Sequence, residues 1–395
     1  MTFEATPKKA KPPLDGVVIA DFSRVLAGPL ATMMLGDLGA DVIKIERPEG
    51  GDDTRCWGPP FTTDGTSPYF LSVNRNKRSI AIDLRDEIQR AQARSIADSS
   101  DVLVENFRSG AMARYGLDYA TLRRQNPGLV YCRISGFGSE AGRDLPGYDF
   151  LIQALSGLMS ITGEPEGPPM KTGVAIVDVL TGLHATIGVI AALYERQQTR
   201  LGQMIEVNLF SSALASLVNQ ASSYLTAGVV PTRISNQHPS IVPYDTFATS
   251  SQPIIIAVGN DRQFRRLCSA LDAEEIADNE LWLTNSDRVE HRKALKTELE
   301  RTLTTRPSDH WLKTLKENDV PCGSINNVAE AFALATELGL NAVQDLATPS
   351  GDTVASVSNP ISFSRSAVSY DRAPPALGAD TEEVLQWLQE RKGPG

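Results

Sequence analysis

The sequence predicts an α/β protein whose main domain is built on a parallel β-sheet. Over the first 140 residues, short runs rich in β-branched residues alternate with helix-patterned segments. Several of these segments have ten or more residues, the length that a right-handed βαβ crossover between parallel strands needs. Hydrophobic residues make up 41% and charged residues 22% of the chain, as is usual for a globular protein.

Strand-like runs lie at residues 16–23, 41–48, 78–84, 101–107 and 129–138. Pro29 suits the first turn of the helix that follows the first run, since proline needs no backbone N–H there. Further helices are predicted near residues 86–97 and 118–125, between later runs. Together these elements predict successive βαβ units.

After Asp178 the pattern predicts two long helices, at about residues 178–196 and 203–226. Short strands and loops follow over residues 233–264, and then helices near residues 261–271, 285–304 and 308–317. This change of pattern predicts a separate smaller domain at 230–325. The strand-like TVASVSN and a final helix capped by Asp380 or Thr381 complete the chain.

Charge and cysteine usage exclude several classes of function. The net charge of −10 argues against nucleic-acid and membrane-surface binding, which need a basic surface. The four cysteines form no CxxC pair and fit a reducing compartment. The N-terminal MTFEATPKKAKPP has no apolar core of a signal peptide and predicts a disordered arm. Residues 207–232 carry no charge, but their many Ser, Asn and Gln residues favour a buried helix, or one packed in a subunit interface, over a membrane span. We therefore expect a cytoplasmic protein.

The first βαβ unit is arranged like half of a nucleotide-binding domain. Its loop, SRVLAGP, has the single glycine Gly28 and lacks GxGxxG, so a dinucleotide pyrophosphate is not expected there. The second strand ends in Glu46 and Arg47, and an arginine at this place suits a phosphate on a ribose. NADP and coenzyme A both carry such a phosphate. Spacing alone leaves equally open that Arg47 is an ordinary surface charge.

Further polar and cationic residues lie in the same half of the chain. Arg75, Lys77 and Arg78 cluster in NRNKRS, and Arg85 and Asn106 each follow a strand. Ligands of open α/β sheets bind beyond the carboxyl ends of the strands, which favours Arg85 and Asn106 as ligand contacts. For each residue, a solvated surface position remains the alternative.

Asp178 is the single carboxylate among apolar residues in KTGVAIVDVLTG, residues 171–182. An ionised aspartate in apolar surroundings is costly unless it is paired. Two interpretations remain open from these residues alone: Asp178 caps a buried helix, or it takes part in chemistry.

Several long, ordered motifs resemble the class III coenzyme A transferases, also called the formyl-CoA transferase or CaiB/BaiF family. They are PLDGVVIADFSRVLAGPLATMMLGDLGADVIKIERP, NRNKRSIAIDL, VENFRSG, PGYDFLIQALSGLMSITGEP, KTGVAIVDVLTGLHA and RAPPALGADTEEVL. Within the family, GDDTRCWGPPF, YFLSVNRNKRSIA, HPSIVPYDTF and PCGSINN are most similar to the succinyl-CoA:glutarate CoA-transferases.

The resemblance implies an α/β fold with a Rossmann-like large domain and a smaller α+β domain, in an interlocked homodimer. Residues 1–229 would form the N-terminal part of the large domain, 230–325 the small domain, and 326–395 a C-terminal part that returns to the large domain. The implied substrates are an acyl-CoA and small carboxylic acids, with coenzyme A carried as the thioester. No metal and no redox cofactor is implied.

The resemblance also implies site residues. Asp178 would be the nucleophile, forming an aspartyl anhydride and then an aspartyl-CoA thioester. The implied coenzyme A contacts are Leu26, Ala27, Arg47, Ile82, Asp83, Leu84, Arg85, Asn106, Phe107, Arg108, Arg114, Tyr148 and Asp149. A dicarboxylate acceptor needs donors for its distal carboxylate, and motif position makes Arg24, Arg55 and His238 the candidates.

Three other functions remain as alternatives. An α-methylacyl-CoA racemase shares the implied fold and aspartate, but such relatives carry histidine where this chain has Tyr148, and proton transfer on both faces of a carbon needs two bases. His184 is six positions after Asp178, off its helical face. An NADP-dependent oxidoreductase would be expected to have GxGxxG. A non-catalytic CoA-binding protein would not need Asp178.

Overall fold

The computed structural model describes residues 11–349 and 351–392. They form two compact units. The first comprises the described residues of Met1–Leu158, Thr172–Gly228 and Leu340–Gly395, and the second comprises Met159–Lys171 and Val229–Gly339. The boundaries predicted from sequence, at 229 and 325, stay a prediction beside these units. Residues 1–10, which hold most of the predicted N-terminal arm, lie outside the described residues.

The strands of the described chain are β1 (Val18–Asp21), β2 (Asp41–Glu46), β3 (Lys77–Ala81), β4 (Val102–Glu105), β5 (Val130–Ser135), β6 (Met204–Asn208), β7 (Tyr244–Phe247), β8 (Ile254–Ala257), β9 (Cys322–Ser324), β10 (Val343–Ala347) and β11 (Thr353–Val357). The α-helices are α1 (Ala27–Asp37), α2 (Pro68–Ser72), α3 (Glu87–Asp98), α4 (Ala111–Arg114), α5 (Tyr119–Leu122), α6 (Asp149–Leu155), α7 (Ile176–Thr199), α8 (Leu209–Ser216), α9 (Val218–Ala227), α10 (Asp261–Ala270), α11 (Glu274–Ala277), α12 (Asn285–Glu290), α13 (Arg292–Leu303), α14 (Ser308–Glu317), α15 (Val328–Glu337) and α16 (Thr381–Lys392).

The first unit is built on a six-stranded sheet in the order β3-β2-β1-β4-β5-β6, and all neighbouring strands are parallel. This is the strand order of a doubly wound Rossmann fold, in which the direction of winding reverses between β1 and β4. The predicted α/β class with a parallel sheet is therefore confirmed. The carboxyl ends of β1 to β4 meet at one edge, where the fold favours ligand binding.

Both faces of the sheet are covered, because side chains alternate along each strand. Ile19 of β1 packs into a core with α1 and α7, while its neighbours Val18 and Ala20 pack into a second core with α3 and α16. A parallel sheet that is buried on both faces favours apolar strands, as in β1 and β4, although β2 and β3 also bury Lys44 and Lys77.

Two predicted helices differ from the structure. The predicted helix 285–304 is divided at His291 into α12 and α13. The segment 203–226 was expected to be a single helix, but its first residues form β6, which pairs with β5 at the sheet edge, and α8 and α9 follow. Five strand residues at the start of a long uncharged stretch carry too little pattern to separate them from a helix. Pairing with β5 decides their conformation.

Helix α7 is long and apolar enough to span a membrane by length and composition alone. The core helices of soluble proteins pass the same test. Here α7 packs on the sheet through Val177, Ala185 and Val189, all fully buried.

The second unit has its own apolar core and a three-stranded antiparallel sheet in the order β7-β8-β9. Helices α10, α13 and α14 supply Phe264, Leu299 and Trp311 to this core. The strands β10 and β11 of the first unit form a separate antiparallel pair.

Candidate active site

Asp178 is the third residue of α7. The residue before the helix is Ala175, whose side chain cannot cap it. The Asp178 side chain is partly buried, and no hydrogen-bond donor from residues 11–349 or 351–392 reaches its carboxyl group. A carboxyl group in the first turn of a helix usually bonds to nearby backbone N–H groups or benefits from the helix dipole. The Asp178 oxygens therefore remain available to a substrate.

Asp149, the first residue of α6, caps α7 in place of Asp178. Its Oδ1 accepts the backbone N–H of Val177 at 2.8 Å and that of Asp178 at 3.1 Å. Its Oδ2 accepts from Nε2 of Gln153 at 2.6 Å. The two carboxylates are thus held close together. The structure gives Asp149 these internal partners, and the coenzyme A contact implied for it stays a prediction.

The electrostatic surroundings favour the protonated form of Asp178. Burial and the neighbouring Asp149 carboxylate raise the pKa of Asp178 to about 7. Burial, followed by the charges of Asp178, Asp149 and Asp52, raises the pKa of Tyr69 on α2 to about 12. Pairs of groups with shifted pKa values in one place are typical of catalytic sites. This cluster therefore marks the candidate active site.

Sequence reasoning missed Tyr69 and Gln153 as residues of this site. Tyr69 stacks edge-on against Trp57, with ring centroids 5.1 Å apart. Gln153 is fully buried and lies four residues after Asp149. The i,i+4 spacing on a helix could have suggested that Gln153 supports Asp149. Tyr69 is the first residue of the YFLSVNRNKRSIA motif, but the motif gave it no role.

The loop before α1 lies against α7 beside the nucleophile. A Cβ atom at Gly182, one turn after Asp178, would be 2.7 Å from the Ala27 carbonyl oxygen. Glycine at this position lets the two helices approach closely. The structure therefore brings the predicted contact Ala27, and its neighbour Leu26, to the helix that carries Asp178.

This loop is held in a strained conformation. Val25 has a φ of 71°, which costs a β-branched residue about 1–3 kcal/mol. Asn106 holds the backbone of Arg24 from both sides, by accepting from its N–H at 2.9 Å and donating to its carbonyl at 2.7 Å. The Val25 N–H points to the Asp52 carboxylate, which is paired with the fully buried Lys44. Asn106 thus fixes the loop, and the coenzyme A contact implied for it stays a prediction.

A cavity of about 350 Å³ opens at the carboxyl ends of β1 to β4. It brings together six residues that the resemblance implies as coenzyme A contacts: Arg47, Ile82, Asp83, Leu84, Arg85 and Phe107. Its walls combine apolar and aromatic side chains with arginines, which suits a nucleotide that carries phosphates. Arg24 also lines this cavity.

The cations at this cavity have different partners. Asp53 accepts from Arg47 at 2.5 Å and from Arg24 at 3.2 Å. Arg85 pairs with Asp83 at 2.9 Å on the surface. The Nε of Arg24 is buried and has no hydrogen-bond partner in the described part of the chain. A buried donor without a partner is costly, and an anionic ligand would satisfy it.

Other predicted residues lie elsewhere. Arg108 lines a second cavity of about 320 Å³, between β4, β5 and α4, and Arg114 is exposed in the last turn of α4. Tyr148 is 68% exposed directly before α6. These three residues stay predictions as coenzyme A contacts.

The candidate acceptor contacts differ in availability. Arg55 makes a two-pronged ion pair with Glu46, at 2.6 and 2.8 Å, and donates to the Pro375 carbonyl at 3.1 Å. Its guanidinium also lies 3.7 Å from the centroid of the Phe70 ring. His238 belongs to the second unit, where Nδ1 accepts the Ser240 N–H at 3.1 Å. Arg24 is therefore the one of the three with a buried donor that lacks a partner in the described chain.

His184, the histidine weighed for a racemase, has an internal partner. Its Nδ1 lies 3.0 Å from the Ser212 hydroxyl on α8. This contact agrees with a packed histidine.

Comparison with known proteins identifies the family. The family model for CoA-transferase family III matches residues 14–381. The chain is 44% identical over 389 residues to a succinate–glutarate CoA-transferase of Agrobacterium fabrum, with 96% of each chain covered. It is 42% identical over 333 residues to an acetyl-CoA:oxalate CoA-transferase of Acetobacter aceti, covering 84% of this chain and 85% of that protein.

A solved structure agrees with this assignment. The crystal structure of a CaiB/BaiF family protein from Brucella suis superposes with a TM-score of 0.86 at 42% identity, covering 96% of this chain and all of that one. The resemblance stated from the motifs is confirmed. The chain is an enzyme that belongs to CoA-transferase family III.

Proposed function

We propose that the protein transfers coenzyme A from succinyl-CoA to a dicarboxylate such as glutarate, with Asp178 as the nucleophile. The observation that carries the proposal is the Asp178 carboxyl group, which is partly buried and receives no hydrogen bond from the described residues. The name of the Agrobacterium fabrum relative supports the donor and the acceptor class. The Acetobacter aceti relative is named for acetyl-CoA and oxalate, so acceptors of several lengths and acetyl-CoA as a second donor should also be tested.

The proposed reaction begins when an ionised Asp178 oxygen attacks the thioester carbonyl carbon of succinyl-CoA. The C–S bond breaks, coenzyme A leaves as the thiolate, and an aspartyl–succinyl anhydride forms. The thiolate then attacks the Asp178 carbonyl carbon. Succinate leaves with the bridging oxygen, and Asp178 becomes an aspartyl-CoA thioester.

The second half of the reaction transfers coenzyme A from Asp178 to the acceptor acid. The acceptor carboxylate attacks the aspartyl-CoA carbonyl and expels the thiolate, which gives a second anhydride. The thiolate attacks the acyl carbon of the acceptor, so that the product thioester leaves and Asp178 returns as a carboxylate. Carboxylate and thiolate alternate as nucleophile and leaving group, and each step conserves charge.

The surroundings of Asp178 suit both halves. With its pKa raised to about 7, Asp178 can ionise near neutral pH, and its carboxylate is then more nucleophilic than that of an aspartate with an ordinary pKa. Apolar neighbours such as Val177 limit water, which would hydrolyse the anhydride.

We also propose roles for the predicted binding residues. Ile82, Leu84 and Phe107 would hold the nucleotide end of coenzyme A, with Arg47 and Arg85 next to its phosphates. Arg24 would meet an anionic group of a substrate through its unpartnered Nε. Asn106 would act by holding the loop that contacts the substrate.

The homodimer and the cytoplasmic location are further parts of the proposal. Helix α9 has no fully buried residue in one chain, and its Leu225 is 78% exposed. An apolar surface of this kind is typical of a subunit interface. The four free cysteines support a reducing compartment.

The decisive experiment is a transfer assay with succinyl-CoA or acetyl-CoA against a panel of carboxylic acids, read by mass spectrometry of the product thioesters. We expect transfer to a dicarboxylate of about four to six carbons, and a loss of at least about 1,000-fold in Asp178→Asn, since the nucleophile itself is removed. The matched control is Asp309→Asn, an exposed aspartate on α14. Incubation with succinyl-CoA alone should attach coenzyme A to the peptide that contains Asp178. Transfer that persists in Asp178→Asn would overturn the proposal.

A further inference from the structure

The nucleophile's helix is capped by a residue from another helix, and that residue is itself oriented by a third side chain. Asp149 supplies the cap of α7, and Gln153 supplies the bond that orients Asp149. Gln153 is fully buried, which makes any misplacement of its amide costly. The reaction itself does not use this side chain.

The amide of Gln153 has only one orientation that satisfies its partners, which also include the Val174 carbonyl oxygen, 3.5 Å from Nε2, and the Thr172 hydroxyl, 3.4 Å from Oε1. Its Nε2 faces Oδ2 of Asp149 at 2.6 Å, and its Oε1 faces the backbone N–H of Thr172 at 3.0 Å. The carboxylate can only accept, and the backbone N–H can only donate. Reversing the amide would place two acceptors together and two donors together. The network therefore has a defined direction, from Thr172 through Gln153 to Asp149.

This direction decides what remains available for Asp178. Because Gln153 takes Oδ2 of Asp149, the other oxygen of that carboxylate is turned to the N–H groups of Val177 and Asp178. If the Asp178 carboxyl group itself accepted hydrogen bonds from these N–H groups, its oxygens would no longer be free to attack a substrate. Thr172 is two residues before Val174, so the same glutamine also fixes the segment that leads into α7.

We propose that Gln153 is a positioning residue, which holds Asp149 as the external cap of α7 and so keeps the Asp178 carboxyl group free for the acyl-CoA. This inference rests on the proposed role of Asp178 as nucleophile. Gln153 makes no contact with the reacting atoms and acts through Asp149.

The test is a pair of substitutions that exchange amide and carboxylate. In Gln153→Glu, an oxygen replaces Nε2 and opposes Oδ2 of Asp149. In Asp149→Asn, the side-chain NH₂ opposes Nε2 of Gln153. In the double variant, the asparagine NH₂ donates to the glutamate, the asparagine oxygen still caps α7, and the glutamate still accepts from Thr172. The total charge of the network is the same as in the natural protein.

We expect each single variant to lower kcat by about 100-fold, as a misplaced catalytic group does. The double variant should recover to within about 10-fold of the natural enzyme. Gln386→Glu, on the exposed face of α16, is the matched control and should leave kcat unchanged. Thermal unfolding shows whether each variant is folded. If Gln153→Glu does not fold, the double variant must still exceed Asp149→Asn.

The pH dependence of kcat/KM separates this role from a purely structural one. The titratable groups that share the surroundings of Asp178 are Asp149 on α6 and Tyr69 on α2. The partners of Asp149 in the described chain are an amide and two backbone N–H groups, all uncharged. The carboxylate added in Gln153→Glu should move the midpoint of the kcat/KM profile to higher pH. Removal of the Asp149 carboxylate in Asp149→Asn should move that midpoint to lower pH. The double variant should return close to the natural midpoint.

Two outcomes would overturn the inference. Single variants within about threefold of the natural kcat would show that the network does not position Asp178. A double variant no better than the worse single variant would show that direction does not matter. Failure of the natural enzyme itself to transfer coenzyme A in the same assay would instead contradict the proposed function, so the two failures are distinguishable.

Discussion

The raised pKa of Asp178 suits its proposed chemistry, but it makes the stability of the folded protein depend on pH. This pKa of about 7 lies above the value of 3.8 that an aspartate has in an unfolded chain. The folded protein therefore binds a proton more tightly than the unfolded chain does. The stabilisation from this protonation is complete below pH 3.8 and is lost as the pH rises towards 7. Above that pH the ionised carboxylate destabilises the fold.

We therefore predict that Asp178→Asn is more stable than the natural protein at pH 8, by roughly 1–4 kcal/mol, because the amide needs no charge in this partly buried place. Urea unfolding at pH 8 and pH 4 would measure the difference, which should shrink towards pH 4. Asp309→Asn, on the surface, should show no such dependence. Equal stability of Asp178→Asn and the natural protein at pH 8 would contradict the shifted pKa.

The partners of individual side chains could not be predicted from the sequence. Asp178 could be singled out from the sequence, but the residues around it alone favoured a helix cap, and only the family resemblance indicated a nucleophile. The cap proves to be Asp149, 29 positions away, through a contact that depends on how α6 packs against α7. Lys77 resembled a ligand-binding cation, yet it is fully buried against Asp21, 56 positions earlier. Spacing in a sequence cannot reveal such partners.

At the scale of elements, the site depends on the close approach of α1 and α7. Gly182 is where the two helices meet, with the Ala27 carbonyl above it. The strained loop at Val25 runs directly into the same contact. Asn106 and Asp52 keep the loop in place from the carboxyl ends of the neighbouring strands. The position of the loop relative to Asp178 is thus fixed by backbone contacts.

We predict that Gly182→Ala lowers kcat/KM by about 10- to 100-fold and the free energy of unfolding by about 1–3 kcal/mol, because the new Cβ would force a backbone carbonyl away. Gly188→Ala on the same helix is the control. Its Cβ would meet only a side chain, with Cγ2 of Ile205 at 3.1 Å, and no backbone atom, so near-natural activity is expected. Steady-state kinetics and urea unfolding measure both. Unchanged kinetics in Gly182→Ala would show that the contact does not position the loop.

Elements were predictable where their pattern is continuous. The strands β1 to β5 are largely buried, and β1, β4 and β5 are visible as mainly apolar runs, whereas β3 begins with Lys77, Arg78 and Ser79. The strand β6 lies at the sheet edge and has no fully buried residue, so its pattern merges with the helices that follow. Local sequence therefore determined the central strands, whereas pairing with β5 determined the edge.

At the scale of the molecule, much apolar surface remains without a partner in a single chain. Helices α9 and α15 have no fully buried residue, although both carry large apolar residues such as Tyr224 and Phe332. Each helix belongs to a different unit, so the unpartnered surface is widely distributed. A second copy of the chain would cover it in the homodimer that we propose.

We predict a particle of twice the chain mass in sedimentation velocity, with no dissociation on dilution. Interlocked chains separate only by unfolding, so tagged and untagged dimers should not exchange subunits over days in native buffer. Mixing after denaturation and refolding should give hybrids and is the control. A single-chain mass, or rapid exchange without denaturant, would contradict an interlocked dimer.

Because helix α16 lies near the end of the chain, one side of the sheet can be completed only late in synthesis. This helix completes the core over β3 with Val384 and Leu388, and its Arg391 donates to the Ser99 carbonyl at 2.8 Å, 292 residues earlier in the chain. A ribosome therefore finishes the whole second unit before this side of the sheet can be closed. Until then the nascent chain exposes Ile80 and Ile96 of that core, and chaperones that bind apolar segments would have their longest opportunity there.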